Sequence, residues 1–454
     1  MADTSDPERN RFTARAGRFA KVGANLSGAA LSFGANRLFG SGNDADARIA
    51  RALKEALGRS KGPLMKIAQM VSTIPDFLPE DYAEELASLQ AHAPSMGWNF
   101  VQRRMRAELG DEWGGKFAAF GREAAHAASL GQVHKAKLHD GRLVACKLQY
   151  PEMASAVEND LSQLRTLMGL YKRLDKALDP EELVEEIGDR LREELDYRRE
   201  AQHMALYRAI LADQPQVAIP EPILDLSTDR LLTMTWLDGV GVSHYETADQ
   251  DTRNRIATML FHTWWIPFTR NAVIHGDPHL GNYALADEAT QLNLLDFGCI
   301  RIFPPSFVDG VVALYRGLEA DDFDATAAAY EQWGFRDLTR DLIETLNIWA
   351  RFIYGPLLDD RVRTVADGVA VGSYGRKEAF EVRQRLKEQG PVRIPREFVF
   401  MDRAAIGLGS AYLRLGAQLN FYRLFNESLE GFDHIALAAR QNAALEAVGL
   451  KDAA

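Results

Sequence analysis

An α+β fold, predominantly helical and divided into two lobes, is what this 454-residue sequence predicts. Three observations predict it. A cluster of short strand-like segments ends in RLVACKLQY (142–150), which sets a lysine in the middle of a strand. A polar segment, VIHGDPHLGNYAL, is followed by a short apolar strand and the tripeptide Asp-Phe-Gly. Helical periodicity surrounds both, and from Thr252 to the end the chain reads helical apart from a loop-rich core at 272–304.

The elements follow in chain order. Residues 1–46 form a leader with no acidic residue from Arg9 to Asn43. Its basic residues Arg9, Arg11, Arg15, Arg18, Lys21 and Arg37 interleave with Phe12, Phe19, Leu26, Leu31, Phe33, Leu38 and Phe39. Two readings stay open: a basic amphipathic segment resting on an anionic membrane surface, or a disordered leader rich in Gly, Ala and Ser. The start, MADTSDPE, is acidic and lacks the apolar stretch of a secretory signal. Residues 47–115 read as a helical extension, with Leu53, Leu57, Leu64, Ile67, Met70, Val71 and Ile74 near the helical period.

Residues 116–237 form the smaller lobe. FAAF (117–120), QVHKAKL (132–138) and RLVACKLQY read as strands, the last two joined across His-Asp-Gly, a hairpin signal because Asp-Gly accepts positive φ. A helical insertion occupies about 152–190, and ILDL (223–226) and RLLTMTWL (230–237) read as closing strands. Residues 238–454 form the larger, helical lobe. Its helix MDRAAIGLGSAYLRLGAQLNF carries Gly407, Gly409 and Gly416, which suits close packing inside that lobe.

Composition narrows the function. With 46% hydrophobic and 26% charged residues the chain is globular, and its net charge of −11 offers no basic field for nucleic acid. Cys146 and Cys299 are its only cysteines, so neither a disulfide framework nor a zinc site is supported and a cytoplasmic location is expected. The most apolar stretch, ATMLFHTWWIPFTRNAVI (257–274), is broken by His262, Thr263 and Arg270 and reads as a buried helix entering a loop, not a transmembrane span.

The chemistry sits in the polar segment. His275, Asp277 and Asn282 stand in an H-x-D-x-x-x-x-N pattern, and Asp296-Phe297-Gly298 begins nineteen residues after Asp277. Phosphoryl transfer needs Mg²⁺ held against phosphates and an oriented nucleophile. Asp277 can orient or deprotonate the attacking hydroxyl, while Asn282 and Asp296 offer the hard oxygen atoms Mg²⁺ prefers. Lys147, on the strand LVACKL, is placed as the nucleotide-contacting lysine of protein kinases. Its carboxylate partner is sought in RLREELDYRREAQ, which offers Glu193, Glu194, Asp196 and Glu200. Thr235 and Leu237 fit a hinge meeting adenine, with a simple strand end as the alternative. His134, His139 and His203 read as surface or packing histidines, and Trp264 and Trp265 as core.

The phosphate loop departs from protein kinases. In AHAASLGQVH, Ala127, Ala128 and Ser129 stand where glycine would let successive N–H groups wrap a polyphosphate, so the nucleotide is held differently. Glu200 follows Lys147 by 53 residues, and no long activation segment follows Gly298. The nucleotide machinery is present without a peptide platform.

These residues resemble the UbiB/AarF family of atypical, protein-kinase-like ATPases linked to coenzyme Q biosynthesis, over about Lys61 to Leu437. AHAASLGQVH is similar to the family's Ala-rich loop, Lys66-Ile67-Ala68-Gln69 to its K-x-G-Q motif, and Glu194-Leu195-Asp196 to its E-x-D motif. The resemblance implies a protein-kinase-like bilobal fold with the all-helical extension over the nucleotide cleft. It also implies catalytic contributions from Lys66, Gln69, Glu194, Asp196 and Glu200 beside Lys147 and Asp277. ATP and Mg²⁺ are the implied cofactors. Anionic or isoprenoid lipids and lipid-biosynthesis proteins are the implied partners, at the inner membrane as a peripheral protein. Three departures stand out: Ala68 for glycine, His126 for alanine and Leu280 for proline. A small-molecule phosphotransferase of the antibiotic-kinase type, a protein kinase and a non-catalytic nucleotide-sensing scaffold remain alternatives.

Overall fold

The structure, a computed structural model, describes residues 96–128, 130–171, 180–366, 375–389 and 396–450. The leader, residues 47–95 of the helical extension with Lys66 and Gln69, and Ser129 lie outside the described residues. The chain begins with α1 (Trp98–Leu109), β1 (Ala119–Phe120), β2 (His126–Ala128), β3 (Gly131–Lys137) and β4 (Leu143–Gln149). Next come α2 (Met153–Tyr171), α3 (Pro180–Glu194), α4 (Tyr197–Ile210), β5 (Val217–Ala218), β6 (Leu231–Thr235) and β7 (Val240–Gly241). Then follow α5 (Gln250–Asn271), β8 (Val273–His275), β9 (Tyr283–Ala286), β10 (Gln291–Leu294) and β11 (Ile300–Ile302). The remainder is helical: α6 (Pro305–Glu319), α7 (Phe323–Gln332), α8 (Arg340–Tyr354), α9 (Arg376–Gln389), α10 (Arg396–Leu415), α11 (Phe421–Ser428) and α12 (His434–Ala447). The fold is α+β and predominantly helical.

Two compact units divide the chain, one holding the residues up to Arg199 with Ile223–Trp236, the other Glu200–Pro222 with everything from Leu237 onward. In the first, β1, β3, β4 and β6 form an antiparallel sheet in that order, and β2 also pairs with β3. The hairpin between β3 and β4 turns at Gly141, whose φ of 91° an L side chain rarely adopts, and Asp140 Oδ1 accepts the Arg142 amide at 3.0 Å. Alternation along β4 sends Val144, Cys146 and Leu148 into an apolar core with Met105, Phe117 and Leu231, so Lys147 faces the other side of the sheet. Buried Arg104 of α1 is satisfied by donating to the Gln149 and Tyr150 carbonyls at 3.2 and 3.3 Å, and it pairs with Glu108.

One expected strand is absent. ILDL folds into a short 3-10 turn at Leu224–Leu226. Only the Ile223 amide reaches the sheet, at the Thr233 carbonyl (2.7 Å), while the Ser227 and Thr233 hydroxyls donate to the Ile223 and Leu226 carbonyls and curl the backbone away.

In the second unit, β5, β10, β9 and β7 form one sheet and β8 and β11 a two-stranded ribbon. Helix α5 begins at Asp249, whose carboxylate accepts the Thr252 amide at 2.8 Å; that bond holds its carboxyl below the ordinary value. The helix is buried on most sides, including Phe261, Trp264, Trp265 and Phe268, as the apolar stretch read from the sequence as a buried helix requires. Among the described residues no helix is long and apolar enough to cross a membrane.

Candidate nucleotide site

In the first unit the Ala-rich segment is strand β2, with Ala127 opposite Gln132 and Ala128 opposite Gly131. Its described residues avoid positive φ, as alanine requires. Gly131 is dictated by space, since a Cβ there would lie 2.3 Å from the Leu148 carbonyl oxygen and 3.1 Å from the Tyr197 hydroxyl. Lys147 is partly exposed on β4, opposite Val133 and Leu232, with its ammonium 5.2 Å from the centre of the Tyr197 ring. At the sheet's far end Thr235 pairs with Val144, and the Trp236 amide donates to the Leu143 carbonyl at 2.9 Å. The indole of Trp236 is stacked by His126 (5.8 Å) and capped by the Lys135 ammonium (4.4 Å), so an extended loop residue grips the end of β6.

The acidic segment has local partners. Glu193 accepts from Arg199 at 3.0 Å, and Asp196, just before α4, accepts the Arg199 amide at 3.0 Å as an N-cap does. Glu194 ends α3 and is partly exposed.

In the second unit Glu200 is buried in the first turn of α4, and Leu237 opens the chain beyond β6. Here the polar segment and the Asp-Phe-Gly tripeptide are tied together. His275 is fully buried, and its Nδ1 accepts the Asp277 amide at 3.2 Å. Nε2 therefore carries the proton and donates to the Asp296 carbonyl at 2.8 Å. The Asn282 amide nitrogen donates to the Asp277 carbonyl (2.9 Å), the Leu295 amide to the Asn282 carbonyl (2.9 Å), and the Gly276 amide to the Cys299 carbonyl (2.7 Å). Asp277, Asn282 and Asp296 are thereby brought together, each partly exposed. The buried Tyr283 phenol reports the same convergence: burial raises its pKa most, and the Asp277 and Asp296 charges raise it further.

These residues fit a magnesium ion by donor chemistry. The Asn282 Nδ2 donates to the Asp277 carbonyl, which leaves the amide oxygen as the hard donor this side chain offers, and Asp296 offers its carboxylate. Among the described residues no group of three or more His, Cys, Asp or Glu could hold a metal. A site of this kind therefore draws its other ligands from phosphate and water.

Three contacts escaped the sequence. His203 is buried, with Nδ1 at 3.2 Å from the Phe297 carbonyl; its position one helical turn past Glu200 was the only available signal. Trp264 donates its indole N–H to the His275 carbonyl at 3.1 Å. On α10, Gly407 faces Pro278, where a Cβ would come 3.0 Å from the ring.

A predominantly helical α+β fold with these two motifs in order defines a protein-kinase-like chain. The chain matches the ABC1 atypical kinase-like domain over residues 88–329, more than half its length, and it belongs to that family, the UbiB/AarF atypical kinases. It is 27% identical over 392 residues to the atypical kinase COQ8, mitochondrial, of Saccharomyces cerevisiae, covering 84% of this chain and 76% of the yeast protein. It is 29% identical over 276 residues to the atypical kinase COQ8B, mitochondrial, of Rattus norvegicus, covering 61% of this chain and 52% of the rat protein. Among solved structures, Rv3197 of Mycobacterium tuberculosis in complex with erythromycin superimposes with a TM-score of 0.59 at 24% identity. That match covers 90% of this chain and 99% of the other and supports the fold.

Proposed function

We propose that the chain binds ATP with Mg²⁺ and hydrolyses it, supporting ubiquinone or other isoprenoid-lipid metabolism at a membrane surface. The observation that carries the reading is the set of bonds joining the two motifs, which fixes Asp277, Asn282 and Asp296 relative to one another. Asp277 orients the attacking water and takes its proton. Asn282 and Asp296 hold Mg²⁺, which when bound neutralises charge developing on the phosphates. Lys147 supplies a cation for the phosphates and Glu200 a carboxylate to hold it. Ala127 and Ala128, extended in β2, cover the phosphates together with Ser129, and Thr235 and Leu237 present backbone to adenine. Lys66 and Gln69, with Glu194 and Asp196, take the place a protein substrate would occupy.

The COQ8 names of the relatives support the ubiquinone link, and the basic leader with its interleaved aromatics supports the membrane surface. The test is ATP turnover by purified protein with and without anionic liposomes, beside Asp296→Asn. Turnover that needs Mg²⁺, rises with liposomes and is lost in the variant is the expected result. No turnover in any condition overturns it in favour of a nucleotide-sensing scaffold.

A further inference from the structure

The second unit holds a partly open cavity that the nucleotide chemistry does not use. Its wall is largely aromatic, with Trp264 and Trp265 from α5, Trp349 and Tyr354 from α8, and Tyr412 from α10. Counted as the space that the centre of a water molecule can reach, its volume is about 70 Å³. At about 10–15 Å³ per water site this is room for roughly five to seven waters, comparable to one six-membered ring with a short substituent.

A single carboxylate, Asp402 of α10, lines this wall among the described residues. It accepts the indole N–H of Trp349, and no lysine, arginine or histidine belongs to the described lining. No ion pair to Asp402 is formed among the described residues. The Tyr412 hydroxyl is buried and has no hydrogen-bond partner among them. A carboxylate in such a place is costly unless a cation meets it, and one N–H meets only part of the need. Aromatic faces add the negative side of their quadrupoles, so the lining attracts positive charge from several directions.

We propose that this cavity binds a compact organic ammonium ion, its N–H groups on Asp402 and its apolar body against the indoles. Occupancy is transmitted to the catalytic loop by two contacts. Trp264 of the wall donates to the His275 carbonyl, and Gly407, two residues before wall residue Gly409, bears on Pro278 beside Asp277. The binding half of this inference stands whether or not the chain hydrolyses ATP.

Protonation supplies a signature. Burial pushes the Asp402 carboxyl up to about 7, partly offset by the Trp349 bond. Tyr330 and Tyr354 also face its charge; burial keeps both phenols neutral, and Arg351, which acts on Tyr330, is engaged with Asp321. A cation is therefore bound better above neutrality, where the carboxylate is already ionised, than below it.

The experiment titrates the full-length protein with benzylammonium and with neutral benzyl alcohol, by calorimetry and tryptophan fluorescence, near pH 6 and near pH 8. Wild type is expected to bind the amine at least about tenfold more tightly than the alcohol near pH 8, an electrostatic difference of about 1.4 kcal/mol. The preference should shrink near pH 6 and vanish in Asp402→Asn. Ala405→Leu, which fills the cavity and leaves the carboxyl in place, should bind neither. Equal affinity for both probes, binding of neither, or a preference that survives Asp402→Asn overturns the site. Hydrogen exchange over residues 275–282 should change when the amine is bound, and unchanged exchange with amine demonstrably bound overturns the link to the catalytic loop.

Discussion

Substituting His275 by leucine isolates what joins the two motifs of the candidate site in the second unit. Leucine fills much of the same buried volume but neither accepts from the Asp277 amide nor donates to the Asp296 carbonyl. Both backbone groups would then be stranded beside a position with no solvent exposure. At about 1–3 kcal/mol for each unmet buried group, the variant should lose roughly 2–6 kcal/mol. For a unit of this size about 2–4 °C accompanies each kcal/mol, so the melting midpoint should fall by roughly 4–24 °C. Catalysis should suffer more, because displacement of Asp277 against Asp296 by about 1 Å costs on the order of 100-fold. Circular dichroism melting and ATP turnover at saturating nucleotide, measured on the same preparation below the new midpoint, separate the two effects. A midpoint within about 2 °C of wild type together with turnover within about threefold would refute the reasoning.

Gly131→Ala places a Cβ 2.3 Å from the Leu148 carbonyl oxygen and should destabilise the first unit by about 3 kcal/mol or more, read as a lower midpoint or loss of soluble protein. Asn282→Asp removes the donor to the Asp277 carbonyl and sets a second negative charge beside it, so turnover should fall at least about tenfold with the midpoint changed by only a few degrees. Ala128→Gly restores freedom at positive φ and should change ATP or ADP affinity severalfold by calorimetry; unchanged binding of both nucleotides would count against the role given to the loop. Asp402→Asn should change the pH profile of stability. Because the folded carboxyl sits near 7 and its ordinary value is 3.8, wild type loses stability as pH rises from about 4 to about 7, by on the order of 4 kcal/mol. The variant keeps an acceptor for Trp349 without that loss, so its midpoint should exceed wild type near pH 8 and match it near pH 4.

The legible parts of the fold and site were those where chemistry fixes residue type at short spacing. Asp277, Asn282 and Asp296 announce themselves because few other side chains serve phosphate and magnesium, and their register is set within one loop and one short strand. The strand under Lys147 was legible from its kinase-like V-A-x-K pattern, and the hairpin at Gly141 from its Asp-Gly pair. ILDL misled because its apolar residues suit a strand, while the two hydroxyls that bend it lie at Ser227 and Thr233, outside the segment. His203 looked like packing until its carbonyl partner at Phe297, remote in sequence, was in place. The cavity was invisible for the same reason, since its wall is assembled from helices spread between Phe261 and Phe421 and no local pattern marks Asp402 as part of it.

The His203 imidazole at the Phe297 carbonyl ties the part of α4 from Glu200 onward to the Asp-Phe-Gly tripeptide within one compact unit. Many protein kinases are switched off by swinging the glutamate-bearing helix outward while that tripeptide rearranges on its own. Here neither motion is available without breaking the imidazole–carbonyl link. Elements that cover or leave the candidate nucleotide site could regulate it with that link intact, whereas a helix turning away could not.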